Sequence, residues 1–180
     1  MHQNIIPEEF HSFETDEPFT HCCDCDCELV SSGQMYMVQK TFDKSECVME
    51  FALCTTCKGK LDEQLSEKSK EALFDFMHEH VEMVEAPADY GEEDAMKQID
   101  ECLACGAERS KCKGHSYSGL FLGSTLVPGP FPMMICGKCH ELMSEGLSEH
   151  TKDVRDKFYE ENFPGPPSEL NLPNGKPVLM

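Results

Sequence analysis

At 180 residues and without tryptophan, the chain has room for one or two small domains, and its 39% apolar content limits each to a modest core. Its 15 basic and 34 acidic residues give a formal charge of −19, which repels phosphate backbones and argues against nucleic-acid binding, where affinity rests on lysine and arginine. No apolar run approaches membrane-spanning length. The first residues lack the basic start, apolar core and cleavage site of a secretory signal, so the expectation is a soluble cytoplasmic protein whose 12 cysteines stay reduced.

Residues 1–19 are polar and acidic with scattered Phe10, Phe13 and Phe19, and read as an N-terminal arm docked through those rings. A first unit, residues 20–84, opens on the cluster Cys22-Cys23-Asp24-Cys25-Asp26-Cys27. Residues 35–42 are rich in strand formers, 43–46 read as a turn, and 47–53 read as a returning strand that delivers Cys54. After Cys57 the pattern turns helical. Leu61 and Leu65 are four apart, and Ser66-Glu67 supplies a capping hydroxyl and an acid. Ala72, Leu73, Phe76, Met77, Val81 and Val84 then repeat at helical spacing until Pro87.

Residues 85–100 form an acidic linker, with a short helical turn expected near 95–99. The second unit, residues 101–163, opens at Cys102. Its loop, 108–132, carries a strand near 117–122 and then an irregular segment, because Pro128, Pro130 and Pro132 cannot donate to a sheet ladder. Met133-Met134-Ile135 delivers Cys136, and helical spacing resumes at Leu142, Leu147, Val154, Phe158 and Phe163. Residues 164–180 form a Pro-rich tail.

The two units repeat one another. Cys22-x2-Cys25 with Cys54-x2-Cys57 is matched by Cys102-x2-Cys105 with Cys136-x2-Cys139, with 28 and 30 residues between the pairs. The self-similarity extends past the cysteines: Glu28 falls on Glu108, residues 65–71 on 147–153, and Phe76 on Phe158, at an offset of 80 before the loop and 82 after it. Four thiolates offered as two short pairs from distant segments suit a tetrahedral soft ion, and units of about 60 residues commonly need such a staple. The metal ligands are therefore Cys22, Cys25, Cys54 and Cys57 for one zinc ion, and Cys102, Cys105, Cys136 and Cys139 for a second.

A metal pair, a hairpin, and a second metal pair at the start of a helix together resemble the treble-clef zinc finger, over about residues 22–81 and 102–163. The resemblance implies an α+β fold of two duplicated units, each knuckle–hairpin–knuckle–helix. Cys22/Cys25 and Cys102/Cys105 would sit on knuckles, and Cys54/Cys57 and Cys136/Cys139 on helix starts. A rubredoxin-like iron site is the rival frame. Cys105-Gly106 fits it, whereas Cys57-Lys58, Cys139-His140 and the helical patterning behind both second pairs do not.

Cys23 and Cys27 form an alternative C-x3-C pair, and Cys47 and Cys112, which have no counterparts in the other copy, read as small apolar fillers or free thiols. His21, His78, His80, His115 and His140 read as surface residues or supports rather than ligands. The run Arg109, Lys111, Lys113 and His115 reads as a solvated loop. Both cysteine frames are closed by four sulfurs, whereas catalytic zinc keeps an open position, so no enzyme activity is expected. The functional expectation is a structural-zinc module that binds a protein partner, with self-association left open. A rubredoxin-like electron carrier and a thiol redox or metal-handling protein are the alternatives. Phe121, Phe131, Met133 and Met134 in the divergent loop are the candidate contact surface, and covering the small core is the competing reading of the same residues.

Overall fold

The computed structural model describes residues 6–80 and 92–163. Val81, Val84, residues 85–91 of the expected linker and the Pro-rich tail lie outside the described residues. The chain is a mixed α+β protein built on an antiparallel sheet. Strands β1 (Met35–Asp43) and β2 (Glu46–Cys54) form the first hairpin and run into helices α1 (Thr55–Glu63) and α2 (Glu67–His80). After the short helix α3 (Glu92–Met96) come β3 (Gly114–Leu122), β4 (Thr125–Leu126), β5 (Met133–Cys136), α4 (Gly137–Glu145) and α5 (Glu149–Asn162). The prolines at 128, 130 and 132 interrupt the return of the second hairpin, which is why two short strands, β4 and β5, stand where the first unit has only β2.

The two hairpins join through their first strands. β1 pairs antiparallel with β3, so one sheet runs β2-β1-β3, with β4 and β5 both on the far side of β3. Its register has a two-fold relation. Tyr36 lies opposite Phe121, Phe42 opposite His115, and Gln39 opposite Ser118. Within the hairpins, Tyr36 faces Cys54 and His115 faces Cys136. Tyr36 is therefore equivalent to His115 and Phe42 to Phe121, and the axis passes through the buried Gln39–Ser118 pair.

Both faces of this sheet are covered, so β1 and β3 are buried almost end to end. On one face, Phe51 of β2 packs against Phe158 and Phe163 of the α5 region, at 5.9 and 5.5 Å between ring centroids. On the other, the segment before the first cysteine lies across the strands. Phe10, fully buried, meets Tyr117 and Phe121 edge-on at 5.4 and 5.2 Å, and the Tyr117 hydroxyl donates to the Glu9 carbonyl at 2.9 Å. Lys40 is buried, and its ammonium donates to the His11 carbonyl, pairs with Glu50 at 3.2 Å and lies 4.1 Å from the Phe13 ring. Glu50, half-buried, in turn accepts from the Ser12 hydroxyl at 2.8 Å, so the pair latches the arm to the hairpin.

The loop residues expected to form a contact surface have gone into this core. Phe121, Met133 and Met134 are buried, and only Phe131 is half-buried. Their apolar area is needed to fill the space beneath the helices and the arm, because each unit has few other large side chains. That overturns the contact-surface reading and leaves the core-covering one.

The starts of α2 and α5 meet and cap each other. Ser66 and Ser148 each accept from the amide three residues on, Ser69 and Thr151, at 3.2 Å. The two hydroxyls also bond to one another at 2.7 Å. The Ser148 amide donates to the Ser69 hydroxyl at 2.9 Å, and the Ser66 amide to the Thr151 hydroxyl at 3.0 Å. Ser69 and Thr151 are buried, so these groups have no water to replace a lost partner. Ser148→Ala is expected to lower stability in a urea melt by about 1–2 kcal/mol, the upper range for a lost cap. An unchanged midpoint would show that the two helix starts are independent.

Candidate metal centres

The local chain paths around the two cysteine sets are the same. Each first pair sits on a tight turn in which Cys22 donates its amide to the Cys27 carbonyl at 2.9 Å, and Cys102 donates to Ala107 at 2.8 Å. The chain reverses through a left-handed residue just after the second cysteine: Asp26 at φ +58° and Gly106 at φ +70°. Glycine takes that conformation without cost, and aspartate is among the few other residues that tolerate it. The turn is tied to the edge of the sheet, with the Cys23 amide bonded to Ala52 at 2.9 Å and the Leu103 amide to Met134 at 2.8 Å. Each second pair straddles a helix start. Cys54 and Cys136 end their strands as the residues preceding α1 and α4, and Cys57 and Cys139 lie in the first turns. Exposed amides and the helix dipole favour negative charge there.

These paths bring Cys22, Cys25, Cys54 and Cys57 together, with all Sγ atoms within 4.8 Å of one another, and do the same for Cys102, Cys105, Cys136 and Cys139. The Sγ atoms of Cys25 and Cys54 are 3.8 Å apart, and those of Cys105 and Cys136 are 3.7 Å apart. A tetrahedral ion with metal–sulfur bonds of about 2.3 Å places its sulfurs about 3.8 Å from each other. The donor sets therefore fit one tetrahedral soft ion each. Supporting bonds are repeated as well, with the Cys54 amide donating to Cys22 Sγ and the Cys136 amide to Cys102 Sγ, both at 3.3 Å.

In each set three cysteines are buried and one, Cys25 or Cys105, is exposed. The Cys27 backbone amide brings the Cys25 thiol down to about 7. At Cys105 burial pushes the pKa up, but the Ala107 amide and the neighbouring sulfurs outweigh it and the net shift is downward. Burial drives Cys57 and Cys139 upward and takes Cys136 to about 11. Buried sulfurs resist ionising on their own, and a cation at their centre reverses that by stabilising the thiolates.

The other four cysteines stay outside the two groups. All twelve are thiols. Cys23 and Cys27 are half-buried, and burial pushes Cys23 up to about 12. Cys47 and Cys112 bond to the carbonyls of Met49 and Glu108 at 3.5 and 3.3 Å. No histidine belongs to either group. His21 is exposed and bonds to the Thr20 hydroxyl at 2.9 Å. His140 is buried and bonds through Nε2 to the Ser116 hydroxyl, tying α4 to β3. His115 departs from the solvated-loop reading: it is buried on β3 and stacks on Phe42 at 4.9 Å. Sequence pattern did hold a signal for it, since His115 alternates with Tyr117 and Gly119 on the buried face of a strand.

Searches against protein-family models, curated proteins and solved structures return no match for this chain. Among the described residues, no helix is long and apolar enough to cross a membrane.

Proposed function

We propose that each four-cysteine group holds one structural zinc ion, that the two units are treble-clef-like, and that the chain acts without catalysis as a module that binds a protein partner. The observation that carries this reading is the paired geometry of the sulfurs, with matching spacings of 3.8 and 3.7 Å in two sets built by the same chain path. Four sulfurs complete a tetrahedral ion and leave no position for a reacting water, which favours a structural role. The ion would link a knuckle, a strand end and a helix start in each unit. Exposed Phe74 on α2 and Leu142 on α4 leave apolar side chains on the helical side, and the charge of −19 favours a partner with a basic surface. A reducing compartment such as the cytoplasm suits twelve thiols.

The test is metal content by mass spectrometry, on the native chain and on a variant with Cys23, Cys27, Cys47 and Cys112 all changed to serine. Two colourless zinc ions per chain in both proteins is the expected result. Coloured protein with reversible redox behaviour would replace this reading with a rubredoxin-like iron carrier. Loss of metal in the four-serine variant would move the ligand set or point to metal handling.

A further inference from the structure

The internal repeat is broken on the helical side. Phe76 and Met77 of α2 match Phe158 and Tyr159 of α5 when the two units are aligned. On α5 both rings are buried, at 6% and 1% exposure, whereas Phe76 and Met77 are only half-buried. Ser69 is the one buried residue of α2. Leu73 is half-buried, and Phe74, at 68%, is the most exposed large apolar side chain among the described residues.

These side chains line an open groove of about 360 Å³ where α1, α2 and α4 meet. Leu65, Leu73, Phe74 and Met77 come from α2 and the turn before it, and Met143 comes from α4. Phe131, the half-buried ring of the divergent loop, completes the apolar wall. Methionine side chains adapt their shape to an apolar guest. The two lysines of the groove are already paired, Lys58 with Asp62 and Lys70 with Glu67. Beside Phe74 runs a row of acids. Glu67, Glu71, Asp75 and Glu79 recur every four residues, and all four are exposed. Side chains at that spacing are neighbours along a helix. Lys68 is the only base beside the row.

We propose that this groove receives one amphipathic helix of a partner protein, carrying a row of lysine or arginine next to its apolar stripe. The inference deepens the protein-partner reading above and rests on it. Walls made by helices present ridges against which a further helix packs, with anchors at i, i+3 or i+4, and i+7. The basic row would face Glu71 and Asp75. Charge also decides between occupants. A second copy of this chain would bring another acidic row and a further charge of −19, so like charges oppose it.

The test is fluorescence anisotropy of a labelled synthetic helix, about 18 residues of leucine and lysine in helical periodicity, titrated with the full, metal-loaded chain. One control has the same composition scrambled to remove the apolar stripe. The other is a leucine–glutamate helix of the same pattern. Saturable binding of the leucine–lysine helix is expected, with both controls at least about tenfold weaker. Phe74→Ala should weaken it about tenfold or more, as loss of an aromatic anchor does. Glu71→Gln/Asp75→Gln should weaken it about 2–10-fold and reduce its sensitivity to salt. All three positions are exposed, so an unchanged circular dichroism melt would verify that the variants are folded. No saturable binding, or a scrambled control that binds as well, would overturn the proposal. A concentration-dependent dimer in sedimentation that Phe74→Ala abolishes would give the groove to a second copy. Displacement of the probe by peptides of residues 81–91 or 164–180 would give it to this chain's own segments. Either result would overturn the proposal. Helix binding unaffected by Phe74→Ala would overturn the groove while leaving the protein-partner reading in place, and the metal count of the same preparation reports separately on the zinc module.

Discussion

Cys136→Ser is expected to reduce bound zinc from two ions per chain to one or none and to lower the melting temperature of the whole chain in a single transition. Cys136 ends β5, precedes α4, and sits 3.7 Å from Cys105 across the sulfur group. Serine there would replace a soft thiolate with a hydroxyl that binds zinc poorly. Structural zinc contributes apparent binding energies of about 10–16 kcal/mol, comparable with the whole net stability of a typical domain at about 5–15 kcal/mol. Losing even a fraction of it leaves little margin. The effect should be global because β3, which carries the second unit, is hydrogen-bonded along its length to β1 of the first. The checks are metal content by mass spectrometry and a calorimetric melt. Two retained ions with an unchanged melt would remove Cys136 from the ligand set. Two separate transitions, with only one displaced, would mean that the continuous sheet does not couple the units.

Phe10→Ala is expected to cost about 3–5 kcal/mol, the usual range for emptying a buried phenylalanine site, while leaving both metal ions bound. For a chain of this length that corresponds to a fall of about 6–20 °C in melting temperature. Phe10 belongs to the arm rather than to either repeat, yet it is fully buried against Tyr117 and Phe121. The sheet is shaped to receive it. A Cβ built on Gly119 would lie 2.8 Å from two Phe10 ring atoms and from Phe121. Gly119→Ala should therefore be destabilising by about 1–3 kcal/mol, as overpacking is. Combined with Phe10→Ala, it should cost less than the two effects added, because the new methyl group enters the space the ring has left. Chemical denaturation of the two single variants and the double variant gives the coupling. A Phe10→Ala effect below about 1 kcal/mol, the level of ordinary surface changes, would show that the arm only rests on the sheet.

The local elements and the grouping of the eight cysteines were legible because their causes are local. Strand formers around a polar turn produced the hairpin of β1 and β2, whose bounds differ from the reading by a residue or so at each end. Helical spacing after Cys57 and Cys139 marked α1, α2, α4 and α5. Two-residue spacers bring each cysteine pair to one side of a turn, and the internal repeat selected Cys22 and Cys25 over Cys23 and Cys27, as the structure also groups them. Tertiary structure alone decided the rest. The pairing of β1 with β3 joins residues about 80 positions apart in the chain, and no local pattern encodes which strand edges will meet. That pairing created a face too large for the two units to cover, so the arm became part of the core and the divergent loop was drawn inward. It also placed Phe42 beside His115, Tyr117 and Arg109, residues that only the fold brings into one cleft. Sequence set the elements and the donor chemistry through short-range geometry. The sheet between the units assigned burial, and with it the difference between core and surface, through contacts made at long range.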